Sequence, residues 1–495
     1  MVRFFSTSRC VSAFRPLVEY QLKCGLELHT QLKTKHKLFS LTPTSFNADP
    51  NTKVSYFDCG LPGTQPRLNP EALLLALKAA VALDCQVQPH SRFDRKHYFY
   101  PDQPLGYQIT QHHKPIAFGG SLELKQPFDD IKQQSKTIHI QQIQIEQDTG
   151  KSIYDADGTV RVDLNRANTP LIELVTDPDF EDVHQVKAFI KKYQLLVKHL
   201  NICTGELDTG AIRVDVNISV NGNSRVEIKN LRNTTDIVQA IEYEYFRQVD
   251  LIKQSKPIEL QTRGWNGIAT VLQRSKENAV DYRYFPDSEL PHIDLDPKIV
   301  EEIRQELPKF PDVIATELIS KPYNLELKHA KFLVENQDLL GYYKELAATL
   351  IERGIPIKFA SNWLFNNVTK AFKKLDLEID PTIVPPQKLA NLISFIAEKK
   401  VNSNTGDSIL SKIIKNPGLK VEELVKEETI PEEDLSAATL DLCKKIIQQN
   451  PDVVEKIKGG KAKSIKFLIG LAMKQSRGRA NSKELEEKFK NLLEV

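Results

Sequence analysis

The sequence is short of the features that most often give a function away. Its six cysteines (Cys10, Cys24, Cys59, Cys85, Cys203 and Cys443) are scattered over 495 residues. No two form a C-x-x-C pair, which speaks against a zinc finger or a disulfide framework and fits a reducing compartment. No uninterrupted apolar run approaches the length of a membrane span, and the best candidate, Leu73 to Leu83, is broken by Lys78. A G-x-x-x-x-G-K-S/T loop is missing, which excludes a P-loop enzyme. The net charge is only +2, so any nucleic-acid surface has to be local. No acid occurs before Glu19, whereas Arg3, Arg9, Arg15, Ser6, Thr7, Ser8 and Ser12 do. That composition predicts an organellar targeting segment over residues 1–17, outside the fold.

With 40% hydrophobic and 27% charged residues, the rest reads as an ordinary globular protein, long enough for two or three domains. The clearest local signal is period-two alternation. Leu22, Cys24, Leu26 and Leu28 fall on one face of a strand, and Lys23, Gly25, Glu27 and His29 on the other. A carboxylate and an imidazole two residues apart then project side by side, as two metal ligands on a strand would. An exposed polar strand face would look the same.

The pattern recurs. Ile212 to Val220 sets Arg213, Asp215, Asn217 and Ser219 against five apolar residues. Val160 to Asn165 alternates likewise, Val226 to Lys229 presents Glu227 with Lys229, and Gln144 shares a face with Glu146. Half-buried antiparallel strands are built this way, and a curved sheet would converge their wet faces. Glu173 is different: in Pro170-Leu171-Ile172-Glu173-Leu174-Val175 it is apolar on both sides, so its carboxylate needs a cation or a hydrogen-bond partner.

Farther along, Asn69 caps a helix begun by Pro70 and Glu71. Prolines 297, 308 and 311 introduce repeated helical spacing. Pro417-Gly418 and the acids of 422–434 suggest a flexible connection to a last helical module. The expected organisation is α+β: a catalytic domain over 18–295, a helical domain over 296–425 and a helical tail over 430–495.

Six segments occur in one order: GLELHTQLKT, FDRKHYFYPDQPLGYQIT, DLNRANTPLIELV, IRVDVNIS, EIKNL and DYRYFPDSELP. They resemble the B-subunit family of glutamyl-tRNA(Gln) amidotransferases (GatB), and the likeness runs from about Leu17 to the C-terminus. The resemblance implies a cradle domain with a curved, largely antiparallel sheet related to the glutamine-synthetase catalytic fold. It also implies a helical body and a mobile tail. The activity it implies is ATP-dependent phosphorylation of the glutamate side chain on mis-charged Glu-tRNA(Gln), followed by amidation with ammonia. This chain shows no Ser-rich amidase signature, so the resemblance implies a separate amidase-type glutaminase, the A subunit, as the source of ammonia. A small third subunit completes a mitochondrial matrix complex.

The matching positions give Glu27, His29, Glu146 and Asp215 as catalytic, and the same four with Glu173 as holders of Mg²⁺. Phosphoryl transfer asks for divalent metal and cations on the phosphates; Arg95, Lys96 and Lys151 are chosen for the second task on chemistry alone. Where relatives read H-x-E-E-D-x-G-K, this chain has Gln144 and Gln147 in place of the histidine and the second glutamate. That departure keeps open a second reading, a non-catalytic tRNA-binding scaffold whose metal site has decayed. In the tail, Lys461, Lys463, Lys466, Lys474, Arg477 and Arg479 lie in an acid-free window, expected to meet the tRNA backbone.

Overall fold

The structure is a computed structural model that describes residues 16–275, 281–428, 432–458, 465–475 and 482–493. The predicted targeting segment therefore lies almost wholly outside the described residues. Two compact units divide after Val313.

In chain order the first unit has β1 (Leu22–Gln31), α1 (Pro70–Ala82), β2 (Gln86–Val87), β3 (His90–Ser91), β4 (Asp94–His97) and β5 (Tyr107–Thr110). Next come β6 (Ala117–Phe118), β7 (Ser121–Lys125), β8 (Ser135–Gln147), β9 (Lys151–Tyr154), β10 (Val160–Asp163) and β11 (Pro170–Thr176). After α2 (Val183–His199) follow β12 (Ile212–Val220), β13 (Val226–Lys229) and α3 (Thr234–Lys253). The unit closes with β14 (Gln261–Trp265), β15 (Thr270–Ser275), β16 (Phe285–Pro286), β17 (Ile293–Asp294) and α4 (Pro297–Glu306).

One ten-stranded sheet dominates, in the order β15-β14-β13-β12-β1-β11-β8-β6-β2, with β7 also on β8. Its pairings are antiparallel except for β13 with β14. The alternation decides which face is buried. Leu22, Cys24, Leu26 and Leu28 of β1 and Ile212, Val214, Val216 and Ile218 of β12 are buried, in one core with Phe189 and Tyr193 of α2 and Ile237, Ile241 and Tyr245 of α3. Burying each such side chain contributes about 1.5–3 kcal/mol. Tyr193 keeps its hydroxyl satisfied on Thr30 Oγ1, 2.9 Å away.

The helices start where capping chemistry allows. Asn69 accepts from Glu71 N ahead of Pro70, Asp182 accepts from His184 N and Gln185 N, and Asn233 accepts from Asp236 N. α4 was expected in the helical domain. Its Ile303 and Val300 instead join the core of the first unit, and the division falls after Val313.

The regular elements described in the second unit are all helices. Lys358–Asn362 runs into a π-helical turn at Trp363–Val368, and Trp363 is buried against the helix Ser403–Lys415. Gly406 makes that approach possible, because a Cβ there would lie 2.7 Å from Trp363 Cη2. The expected flexible connection is partly a helix: Val421–Glu428 buries Val421, Leu424 and Val425, and Lys412 Nζ meets Glu428 Oε1 at 2.8 Å. The last four helices (Glu432–Gln449, Pro451–Lys458, Ile465–Gln475, Ser482–Leu493) share a core of their own that includes Cys443, Leu468 and Phe489.

Candidate active site

The polar face of the large sheet brings distant residues into rows. Register pairs Glu27 with Asp215 on β12, and His29 with Arg213 on β12 and Glu173 on β11. Glu173 in turn faces Gln144 on β8. The period of two puts these side chains on the same wet surface.

β1 feeds two clusters. On the β11–β8 side, one ligand atom each from His29, Glu146 and Glu173 lies within 4.8 Å of the others. His29 Nε2 is 3.9 Å from Glu146 Oε1 and 3.7 Å from Glu173 Oε2. Gln144 Nε2 donates to Glu173 Oε2 at 2.6 Å, and Gln108 Nε2 to Glu146 Oε1 at 2.9 Å. Burial, then the nearby Glu146 and Glu27, push the Glu173 carboxyl well above its ordinary range. Burial also pulls the His29 imidazole down against the pull of Glu146 and Asp215, which favours the neutral ring a metal needs.

On the β12–β13 side, Glu27, Asp215 and Glu227 form a second such group. Here a cation is built in. Lys229 Nζ sits 2.8 Å from Asp215 Oδ2 and 2.9 Å from Glu227 Oε1. Burial opposes its charge, but Asp215 and Glu227 outweigh burial and raise it above the ordinary lysine value. Asn217 Nδ2 donates to Glu27 Oε1 at 2.8 Å, and Thr262 Oγ1 to Glu227 Oε2 at 2.8 Å.

A cleft of about 640 Å³ runs past His29, Glu146, Arg213, Asp215, Lys229 and Arg232, and also touches Leu231 and Trp265. Arg213 Nη2 is held by Asp148 Oδ1 at 3.0 Å, and Asp148 raises its pKa further. The carboxylates and the imidazole read from the sequence therefore meet on one face, though split between two clusters.

The three phosphate candidates part company. Lys96 is influenced by the first cluster: burial disfavours its ammonium, but Glu146, Tyr284 and Glu173 outweigh that and raise its pKa. Its Nζ stands 5.0 Å over the Tyr282 ring. Arg95, one residue earlier and on the other face of β4, binds Asp287 Oδ2 at 2.6 Å and stacks over Tyr107. Lys151 is exposed and lines a different cavity, of about 880 Å³, with Thr34, Asn47 and Asp163.

The DYRYFP segment gains a place: β16 pairs with β4, and Tyr284 stacks on His112 at 3.8 Å. Sequence reasoning missed Gln108, buried on β5, because a lone glutamine in an apolar strand carries no signal. Gln147 turns away from the clusters, its Oε1 accepting from Ile109 N at 3.0 Å. In the tail, Lys466 is exposed; Lys461, Lys463, Arg477 and Arg479 lie outside the described residues, as does the side chain of Lys474.

Comparison with known proteins agrees along the whole chain. Residues 22–301 match the family model of the GatB/GatE catalytic domain, and residues 345–493 that of the GatB domain. A protein of Scheffersomyces stipitis, named as the mitochondrial B subunit of glutamyl-tRNA(Gln) amidotransferase, is 56% identical, the match covering 100% of this chain and 99% of the relative. Proteins of the same name from Debaryomyces hansenii and Clavispora lusitaniae are 55% and 50% identical over 99% and 98% of this chain, covering 97% and 94% of those relatives. The site's residues thus sit within the matched catalytic segment, and the chain belongs to the GatB family.

Proposed function

We propose that this chain is the B subunit of a mitochondrial amidotransferase that converts Glu-tRNA(Gln) into Gln-tRNA(Gln). A carboxylate resists attack by ammonia. Transfer of the γ-phosphoryl group of ATP to a side-chain oxygen gives an acyl phosphate and ADP; ammonia then adds at the carbonyl carbon and phosphate leaves, taking the former oxygen. The observation that carries this reading is the cleft itself, where carboxylates and cations line one wall in a chain that matches the family's catalytic model.

The donor set suits a divalent cation. His29, Glu146 and Glu173 converge within 4.8 Å, and Glu173 is crowded by negative charge. Carboxylates are ordinary Mg²⁺ ligands, and imidazole is better suited to orienting a bound water. A cation held there would supply electrostatic stabilisation of phosphoryl charge. Arg213, Lys229 and Arg232 offer the phosphates positive charge from the same cleft, and Leu231 with Trp265 offers apolar surface to the base. Lys96, over the Tyr282 ring, adds a cation that the carboxylates of the first cluster favour. Arg95 and Lys151 drop out of this set, the first lying outside the cleft on the other face of β4 against Asp287 and the second lying in another cavity.

The glutamine-synthetase-like cradle fits the large sheet with one polar face, and the relatives' name as a subunit fits an assembly. We assign ammonia supply to an amidase-type glutaminase (the A subunit), with a small third subunit, in the mitochondrial matrix. The tail's basic window would hold tRNA phosphates. Removing residues 432–495 should flatten log K against log[salt] by roughly 2–3 units, at about 0.7–0.9 per phosphate lost. The scaffold alternative is not favoured: relatives matched over the full chain are named as amidotransferase subunits, and His29, Glu146 and Glu173 still lie together beside Gln144.

The test is the reconstituted complex given ATP, glutamine and Glu-tRNA(Gln). ADP and Gln-tRNA(Gln) should form in equal amounts. Glutaminase activity without ATP-dependent conversion would overturn the assignment.

A further inference from the structure

We infer that Gln108, Gln144 and Asn217 are positioning residues: each fixes the direction of one carboxylate of the active face through a neutral amide hydrogen, without cancelling its charge. The inference rests on the proposed metal-assisted reaction and deepens it. Three strands show the same device. From β5, Gln108 Nε2 meets Glu146 Oε1 at 2.9 Å. From β8, Gln144 Nε2 meets Glu173 Oε2 at 2.6 Å. From β12, Asn217 Nδ2 meets Glu27 Oε1 at 2.8 Å.

The donor assignment is forced at Gln108 by a neighbouring bond, and at Gln144 a second amide is consistent with it. Gln108 Nε2 also lies 2.6 Å from the Gln147 carbonyl oxygen, which can only accept. Gln144 Oε1 accepts from Gln142 Nε2 at 2.8 Å, leaving its own nitrogen for Glu173. Gln108 and Gln144 are buried, so their rotamers are set by packing before any ligand arrives. Gln144 replaces the histidine common in relatives. Its amide supplies a neutral donor to the Glu173 carboxylate.

Neutrality is the point. A lysine in the place of Gln144 would make a stronger, charge-assisted bond, and it would also remove the negative charge that a divalent cation responds to. Lys229 shows the other outcome on the same face, where it balances Asp215 and Glu227. Partners that orient metal-ligating groups typically control affinity by about 10–100-fold.

Mn²⁺ binding to the assembled complex, followed by the electron spin resonance of the free ion with no nucleotide present, tests this. Gln108→Leu and Gln144→Leu should each weaken binding by about 10–100-fold. Gln144→His, which restores a neutral donor, should bind within about threefold of the native complex and also reports that the face folds. Gln144→Lys should bind as weakly as Gln144→Leu despite its donor. Native-like Mn²⁺ affinity in both leucine variants overturns the positioning role, and native-like affinity in Gln144→Lys overturns the argument from neutrality. Failure of the metal reading itself looks different: Glu146→Gln and Glu173→Gln would then leave Mn²⁺ binding unchanged.

Discussion

The group of His29, Glu146 and Glu173 and the group of Glu27, Asp215 and Glu227 flank the same strand of the same sheet, yet they are balanced differently. On the β12–β13 side, Lys229 bridges two of the three carboxylates within 2.9 Å, and the third is held by Asn217. On the β11–β8 side, the hydrogen-bond partners of Glu146 and Glu173 are amides, and Glu173 is driven toward its neutral form by burial and by Glu146 and Glu27. A cluster bridged by its own lysine is a wall; one whose carboxylates are held by amides, with Lys96 acting on them but in no ion pair among the described residues, is a place for an ion to go. Their difference argues that divalent cation belongs first beside Glu146 and Glu173, with the Lys229 side holding geometry and meeting phosphate.

The sharpest way to break this comparison is to neutralise each side in turn. Glu146→Gln should lower ATP-dependent amidation by about 10²–10³-fold or more, the scale of one electrostatic group in a transition state. Glu227→Gln should cost much less, since Lys229 still faces Asp215. Glutaminase activity of the partner should survive in both. Equal losses, or the reverse order, would dissolve the distinction between wall and ion site.

Stability reads the same contrast from the other side. Lys229→Met leaves Asp215 and Glu227 without their cation. Breaking a buried pair costs about 3–5 kcal/mol; Lys229 is 38% exposed, so solvent screening reduces the expected loss to about 1–2 kcal/mol. Denaturant melts in the presence of chelator measure it. Added Mg²⁺ should recover part of the loss, because the variant turns the wall into a second uncompensated cluster. An unchanged midpoint would mean that Lys229 contributes nothing net.

Glu173→Gln should have the opposite sign. The folded state holds the Glu173 proton more tightly than the unfolded chain, whose carboxyl titrates near 4.5. Between that value and the raised one the native state binds more protons, so metal-free stability falls as pH rises. Glu173→Gln removes this slope and should stabilise the metal-free protein near pH 7. A destabilised variant with the native pH dependence would show that Glu173 is not under electrostatic pressure.

How much of this was legible beforehand depends on the range of the information. Alternation along β1 and β12 placed Glu27, His29 and Asp215 on a wet face, because a period of two is local. The isolation of Glu173 among apolar residues announced a partner, and Gln144 is that partner. The split into two clusters was not legible, since it depends on which strands lie beside β1. Arg95 and Lys96 look alike in sequence, but adjacent residues of a strand face opposite ways, and only the distant Asp287 shows which one is engaged. α4 went to the wrong domain for a related reason: its helical periodicity was readable, whereas the core that Ile303 joins was not.

Gln147 gives the finest test. Where relatives carry a glutamate, this residue ties β8 to β5 by accepting from Ile109 N, and its neighbour Glu146 takes the face. Gln147→Glu can keep that acceptor, so the tie between the strands should persist. An added carboxylate that ligates the ion directly would tighten Mg²⁺ dependence by orders of magnitude. One that does not touch it acts through space: Gln147 is buried, so the attraction of a unit charge for a divalent ion about 10 Å away, about 3 kcal/mol at an effective dielectric of about 20, is offset by the cost of burying the added carboxylate. The expected result is therefore a shift in the Mg²⁺ concentration for half-maximal amidation of less than about tenfold, because a buried carboxylate that touches no cation takes up a proton instead. Titration of native and variant complexes at saturating ATP and Glu-tRNA(Gln) measures it. A hundredfold tightening would place residue 147 in the coordination sphere, and the β8 strand would then have to turn to bring it there, taking Glu146 off the face and with it the contrast between the two clusters.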